Sequence, residues 1–220
     1  MNTAYFITGT DTDVGKTWVT VALLEHLKQR GRTVLGMKPI AAGCVWQQGQ
    51  WQNADALLLQ DHASLRLPYP LLNPYAYPEP VSPHLAGLHD PAETDKIAEC
   101  FNALQAQADV VLVEGAGGWY APINATQDIS DLAKALGLPV ILVVGIRLGC
   151  LNHAKLSHEA ILASGLPCAG WIAVCLDADM PKREENITTL TITLSSPLLG
   201  VLPYLDKPDF RYLAQQLRLD

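Results

Sequence analysis

Gly15, Lys16 and Thr17 close the stretch GTDTDVGKT, residues 9–17. Those residue types in that order suit a bound polyphosphate. Glycine lets backbone N–H groups approach phosphate oxygens, lysine reaches the outer phosphates, and a threonine hydroxyl can hold Mg2+. An apolar run precedes the loop and a helical pattern follows it, which is the context such a loop needs. The spacing is unusual: five residues separate Gly9 from Gly15, and Thr10 stands where glycine is common. The bland alternative is a glycine-rich turn that only starts a helix.

Mg2+ on a nucleotide asks for carboxylate oxygens beside the phosphates. Glu114 ends the apolar run DVVLVEG, and ligands of open α/β sheets lie beyond the carboxyl ends of strands. It is therefore better placed than Asp109, at the far end of that run. The glycines after it, in EGAGG, permit close backbone approach. The bland reading is a solvated acid at a strand end. Asp55, in NADALLLQ, reads equally well as a first-turn carboxylate favoured by a helix dipole. Lys38 ends a second apolar run, a costly place for lysine unless it faces a ligand crevice or snorkels at an edge. The six histidines do not cluster and read as surface or packing residues, with His153 the exception to watch. The turn LGCLNHA, residues 148–154, leads into a helix N-terminus able to receive a carboxylate. The sequence carries neither a nucleophile elbow nor a dinucleotide glycine fingerprint.

The elements that must carry these residues alternate. Short β-branched runs predict strands over Ala4–Thr8, Thr33–Pro39, Val110–Glu114, Val140–Val144, Ala169–Val174 and Leu198–Val201. Helical patterns fill Lys16–Gln29, Ala54–His62, Asp95–Gln107, Asp128–Leu136, Asn152–Ser164 and Phe210–Leu217. Gly31, Gly137 and Gly165 are helix stop signals. The expected fold is a doubly wound, mostly parallel α/β sheet with helices on both faces, like a P-loop NTPase, in one domain over residues 1–220. Residues 43–53 read as a long loop. The proline-rich residues 67–83 exclude helix interior and central strand.

Hydrophobic residues make up 49% of the 220-residue chain and charged residues 17%, enough for a sizeable core and against disorder. A formal net charge of −7 without a basic stripe excludes nucleic acid as an expected partner. No apolar run reaches about 18 residues, so no membrane span is expected. The five cysteines lack CxxC pairing and read as reduced thiols of a cytoplasmic protein.

Together these pieces resemble the dethiobiotin synthetase family. The resemblance rests on GTDTDVGKT, KPIAAG, NADALLLQ, NPYAYPEPVSPH, VEGAGGWYAPI, LPVILVVGIRLGCLNHA and PLLGVLPYL, in order from residue 5 to about residue 205. The displaced first glycine is usual in that family. The resemblance implies an ATP-dependent cyclo-ligase of biotin biosynthesis, which carboxylates 7,8-diaminononanoate with CO2 or bicarbonate and closes a cyclic urea through a carbamic–phosphoric anhydride. It implies Mg2+ as cofactor, held by Thr17, Asp55 and Glu114, and ATP as co-substrate. Lys16, Lys38 and Thr12 become the catalytic candidates. The nucleotide would meet Asp13, Val14, Gly15, Lys16, Thr17, Trp18, Asp55, Glu114, Gly115, Ala116 and Gly117, with Pro203, Tyr204 and Leu205 by the purine. The diamine would meet Thr12, Lys38, Ala42 and Gly117. Gly149, Cys150, Leu151, Asn152 and His153 would reach the substrate carboxylate in a neighbouring subunit's site, so a homodimer is implied.

Two positions depart from the family pattern. Ala42 stands where serine is usual, and Val174 follows GWIA where asparagine reads the adenine. These open the alternatives of a divergent second copy with reduced activity, of a related diamine substrate and of a relaxed nucleotide preference. A P-loop switch ATPase of the partitioning or metallochaperone type is the alternative from another class. It would carry a lysine early in the loop, where this chain has Asp11.

Overall fold

The computed structural model describes residues 3–219. In chain order the elements are β1 (Thr3–Gly9), α1 (Lys16–Lys28), β2 (Val34–Met37), β3 (Ile40–Ala41), β4 (Val45–Gln47), β5 (Gln50–Gln52), α2 (Ala54–His62), α3 (Tyr69–Leu72), β6 (Tyr75–Ala76), α4 (Pro83–Ala86), α5 (Thr94–Gln105), β7 (Val110–Gly118), α6 (Ile129–Leu136), β8 (Val140–Ile146), α7 (Cys150–Ala163), β9 (Cys168–Cys175), α8 (Arg183–Thr193), β10 (Leu198–Leu202) and α9 (Phe210–Ala214).

Six strands form one sheet in the order β10-β9-β8-β1-β7-β2, with every neighbouring pair parallel. The strands are apolar on both faces, so alternate residues feed two cores. Phe6, Val111, Val113, Leu142 and Val144 pack under α5, α6, α7 and α8. Ile7, Leu112, Ile141, Val143 and Ile172 pack under α1, α2 and α9. This is the doubly wound α/β arrangement expected from the alternating pattern. Among the described residues no helix is long and apolar enough to cross a membrane.

Three local differences from the sequence reading matter. First, β7 does not stop at Glu114 but continues through Gly115–Gly118, where Gly118 lies in register with Gly9. Side chains of glycine and alanine size let this extension run beside the phosphate loop; a Cβ at Gly117 would come within 2.9 Å of the Ala121 Cβ. Second, the loop expected over residues 43–53 contains the antiparallel hairpin β4–β5, turned at Gln48 and Gly49, both with positive φ. Third, α8 was not expected from its threonine-rich sequence. Ile187 and Leu190 anchor it in the core, and the hydroxyls of Thr189, Thr191 and Thr193 donate to carbonyls four residues back. Tertiary packing here overrides weak local propensity.

Candidate active site

A cleft of about 810 Å3 opens at the carboxyl ends of the central strands. Its floor is the phosphate loop. Gly15 adopts a left-handed conformation, with φ of 89°, and caps the start of α1. A Cβ on Gly15 would meet Val174 Cγ1 at 2.9 Å, so conformation and packing both demand glycine. Gly9 is equally constrained, because a Cβ there would strike Val14 Cγ2 at 2.7 Å. The displaced first glycine thus has its own packing reason. The loop places the N-terminus of α1, with its free N–H groups, in the cleft.

Lys16 lies buried in the cleft, its ammonium donating to the Asp11 carbonyl at 2.8 Å. Burial, and then the positive charge of Lys38, pull its pKa down to about 8. Thr17 donates its hydroxyl to Glu114 Oε1 at 2.9 Å. Lys38 donates to the same oxygen at 2.6 Å and to the Gly115 carbonyl at 3.3 Å. The Asp55 carboxylate stands 3.5 Å from the Lys38 ammonium. Burial lowers the pKa of Lys38, but Glu114 and Asp55 more than offset this and hold it above the ordinary lysine value. Glu114 is fully buried, which rules out the solvated-acid reading, and Lys38 at 5% exposure is no snorkelling edge lysine. Asp109 instead sits at the opposite end of β7, accepting from the Thr33 N–H at 2.8 Å.

Asp55 reaches the site because Asn53 caps α2, its side chain accepting from the N–H groups of Asp55 and Ala56. The Asn53 amide also donates to the Ala42 carbonyl at 3.4 Å, linking that helix end to the turn after β3. The pairing of β3 with β6 then brings the proline-rich stretch alongside, with the Gly43 N–H donating to the Glu79 carbonyl at 3.1 Å. Pro80, Val81, Ser82 and Pro83 consequently line the cleft.

Thr17 and Lys38 meet on Glu114 Oε1, and Lys38 joins Asp55 to that pair. Glu114 Oε2 is buried without a hydrogen-bond partner. Two carboxylates, one of them with an unpartnered oxygen, and a hydroxyl form a donor set that fits a hard divalent cation completed by phosphate and water.

Of the sequence-expected residues, Thr12, Asp13, Gly15, Lys16, Thr17, Trp18, Lys38, Ala42, Asp55, Glu114, Ala116, Gly117, Pro203, Tyr204 and Leu205 line the cleft. Val14 and Gly115 do not. The Val14 side chain is buried in the core, and Gly115 lies against Phe6 and Ile129. Gly149, Cys150, Leu151, Asn152 and His153 also do not line the cleft of their own chain. They open α7 after Gly149, whose φ is 93°, with Asn152 and His153 exposed, Cys150 buried and the adjacent Leu148 98% exposed. Sequence reasoning missed Asn53, Ser82 and Cys175 as cleft residues. Asn53 was legible as the capping residue before ADALLLQ. Ser82 lay inside a quoted motif but received no role, and nothing in the sequence pointed to Cys175.

A family described as an AAA domain matches residues 3–210. The ATP-dependent dethiobiotin synthetase BioD of Aromatoleum aromaticum is 48% identical over 218 residues, covering 98% of this chain and 97% of that protein. That of Xanthomonas oryzae is 49% identical over 215 residues, covering 96% and 95%. Among solved structures, the MinC:MinD cell division protein complex of Aquifex aeolicus matches with a TM-score of 0.61 at 16% identity, covering 97% of this chain and 86% of that one. Septum site-determining protein MinD with Mg-ADP from Pyrococcus horikoshii matches with a TM-score of 0.58 at 19% identity, covering 99% and 87%. At such identities these two structures speak for the fold alone, a P-loop NTPase-like α/β fold.

Proposed function

The chain belongs to the ATP-dependent dethiobiotin synthetase family, and from that premise we propose how its own residues carry the reaction. The substrates are 7,8-diaminononanoate, CO2 or bicarbonate, and MgATP. One amine takes up CO2 and loses a proton to give a carbamate. A carbamate oxygen attacks the γ-phosphorus and ADP leaves. The second amine then attacks the carbamoyl carbon, closing the urea and releasing phosphate and a proton. The observation that carries this reading is the convergence of Lys16, Thr17, Lys38, Asp55 and Glu114 within one cleft.

Lys16, with one N–H kept on the Asp11 carbonyl, would turn its remaining N–H groups to the outer phosphates, where its charge counters the charge developing on the transferred group. Lys38, held protonated by Glu114 and Asp55, would stand over the carbamate and neutralise it beside the phosphate. Thr12, at the cleft rim near Gly117, would orient the diamine. Thr17, Asp55 and Glu114 would hold Mg2+, which when bound supplies charge neutralisation to the phosphate oxygens. Pro203, Tyr204 and Leu205, with Val174, would receive the base. Such a site works mainly by positioning and charge.

The segment Gly149–His153 does not line its own cleft, and it follows an almost fully exposed leucine. That supports a homodimer in which it receives the diamine carboxylate in the partner's site. Cytoplasmic residence fits five unpaired cysteines, three of them buried. The test is phosphate release with MgATP, with and without 7,8-diaminononanoate and bicarbonate. Release that depends on the diamine and yields dethiobiotin is expected. Release independent of the diamine would instead favour a switch ATPase, and turnover only with a different diamine would redefine the substrate.

A further inference from the structure

Asp11 joins two parts of the molecule. Its backbone carbonyl receives the Lys16 ammonium at 2.8 Å. Its carboxylate accepts from the Thr12 N–H at 2.8 Å and pairs with the Arg147 guanidinium. Arg147 follows β8 and opens the turn that leads into α7. The Thr12 N–H, joined by Arg147 and His153, holds the Asp11 carboxyl below the usual carboxylate range. Arg147 itself does not line the cleft.

A buried ammonium needs an acceptor, and the Asp11 carbonyl is the hydrogen-bond acceptor of Lys16 among the described residues. The position of that carbonyl depends on how the Asp11 peptide is held. Nothing in the chemistry of the cleft requires an arginine at 147, yet its guanidinium fixes the one loop residue on which Lys16 rests. We propose that Arg147 is a positioning residue for Lys16, acting through Asp11 to preform the phosphate loop for MgATP. This rests on the nucleotide-binding reading of that loop.

Both members of the pair are about half exposed, Arg147 at 44% and Asp11 at 50% of the side chain. Exposed pairs contribute little, so the expected effect is about 2–5-fold in affinity. A simple field effect and a positioning effect differ in sign. Removing a cation near the loop weakens polyphosphate binding by field alone, whereas removing an anion tightens it. Positioning requires that both removals weaken it.

The experiment is calorimetric titration of the full-length protein with MgATP, without diamine. It compares wild type, Arg147→Gln, Arg147→Lys, Asp11→Asn and the variant carrying Arg147→Gln and Asp11→Asn together. We expect Arg147→Gln and Asp11→Asn each to weaken binding about 2–5-fold, and the double variant to weaken it no further. Arg147→Lys should recover part of the loss, and about 0.5 M salt should narrow the gap between wild type and Arg147→Gln. In turnover, KM for ATP should rise with kcat unchanged, which a loss of folded protein would not produce. Tighter MgATP binding by Asp11→Asn, or additive losses in the double variant, would overturn the proposal, the latter by showing that Arg147 meets the nucleotide directly. Unchanged affinity in Arg147→Gln would overturn it as well. Wild-type protein that binds no MgATP would instead remove the nucleotide reading itself.

Discussion

The two flanks of the cleft are built by opposite means. On the β2 side, Lys38 and Glu114 form a buried ion pair tied to Thr17, with the half-exposed Asp55 beside Lys38, and Asn53 and Ser82 add polar groups. On the β9–β10 side, the wall is Val174, Cys175, Leu176, Pro203 and Leu205, and the one phenol, Tyr204, already donates to Asp206 at 3.0 Å. The first flank holds geometry through ion pairs that cannot be half removed, because a buried charge left alone is costly. The second holds it by packing, which tolerates change and selects weakly. Charge chemistry therefore belongs to the first flank and the binding of an aromatic base to the second. Mutations should be severe on the first flank and graded on the second.

The largest effect is expected where the flanks meet. Lys16→Ala removes the one cation rooted in the phosphate loop itself, and turnover at saturating ATP should fall by more than about a hundredfold. A smaller loss, measured by phosphate release, would show that Lys38 or a helix N-terminus supplies the charge instead.

Next is Glu114→Gln, which keeps the shape but withdraws one charge from the cluster. It weakens the hold on both Thr17 and Lys38 and removes an anionic donor for Mg2+. Activity should fall by roughly one to two orders of magnitude and recover in part at high Mg2+ or Mn2+. The check is a Mg2+ titration of turnover alongside thermal unfolding. An unchanged Mg2+ dependence would assign Glu114 to holding Lys38 alone.

These two residues also show what the sequence could disclose. Lys16 was legible because a glycine, a lysine and a threonine at fixed spacing have one obvious joint use. Glu114 was legible from the polarity of its strand, yet its complete burial and its bond to Lys38 join residues 76 positions apart, which no local pattern encodes. The sheet was readable from β-branched runs bounded by glycines. The hairpin β4–β5 was not read, although Gln-Gly between two short runs is a two-residue turn. Helix α8 was hidden by its threonines, whose preference for extended backbone yields to Ile187 and Leu190 entering the core. Ser82 required the pairing of β3 with β6, a contact the prolines conceal.

A third prediction concerns the segment outside its own cleft. Asn152→Asp places a negative charge at the start of α7, and KM for the diamine should rise about tenfold while ATP affinity stays unchanged. Mixing this variant with Lys16→Ala should restore part of the activity, since heterodimers would contain one intact composite site. Subunit exchange is verified by mass spectrometry of differentially tagged chains. Exchange without restored activity would sever Gly149–His153 from any shared site.

The smallest effect lies on the apolar flank. Val174 is 5% exposed and packs on Gly15, so its first duty is to the phosphate loop. It offers no hydrogen-bonding group to a base edge. A pocket that pairs with the base discriminates strongly, because the wrong base leaves buried polar atoms unpaired, whereas packing separates bases poorly. GTP and CTP should therefore support the reaction within about tenfold of ATP. Val174→Asn is close in volume and should still cover Gly15 while presenting an amide, worth about 1–3 kcal/mol of preference, or roughly 5- to 150-fold. The measurement is kcat/KM for ATP, GTP and CTP in both proteins at fixed Mg2+ and diamine. A wild-type preference for ATP above about a thousandfold exceeds what such a wall can supply. It would mean that main-chain groups near Cys175 or Tyr204 read the base, and the contrast between the flanks would then be one of side chains alone.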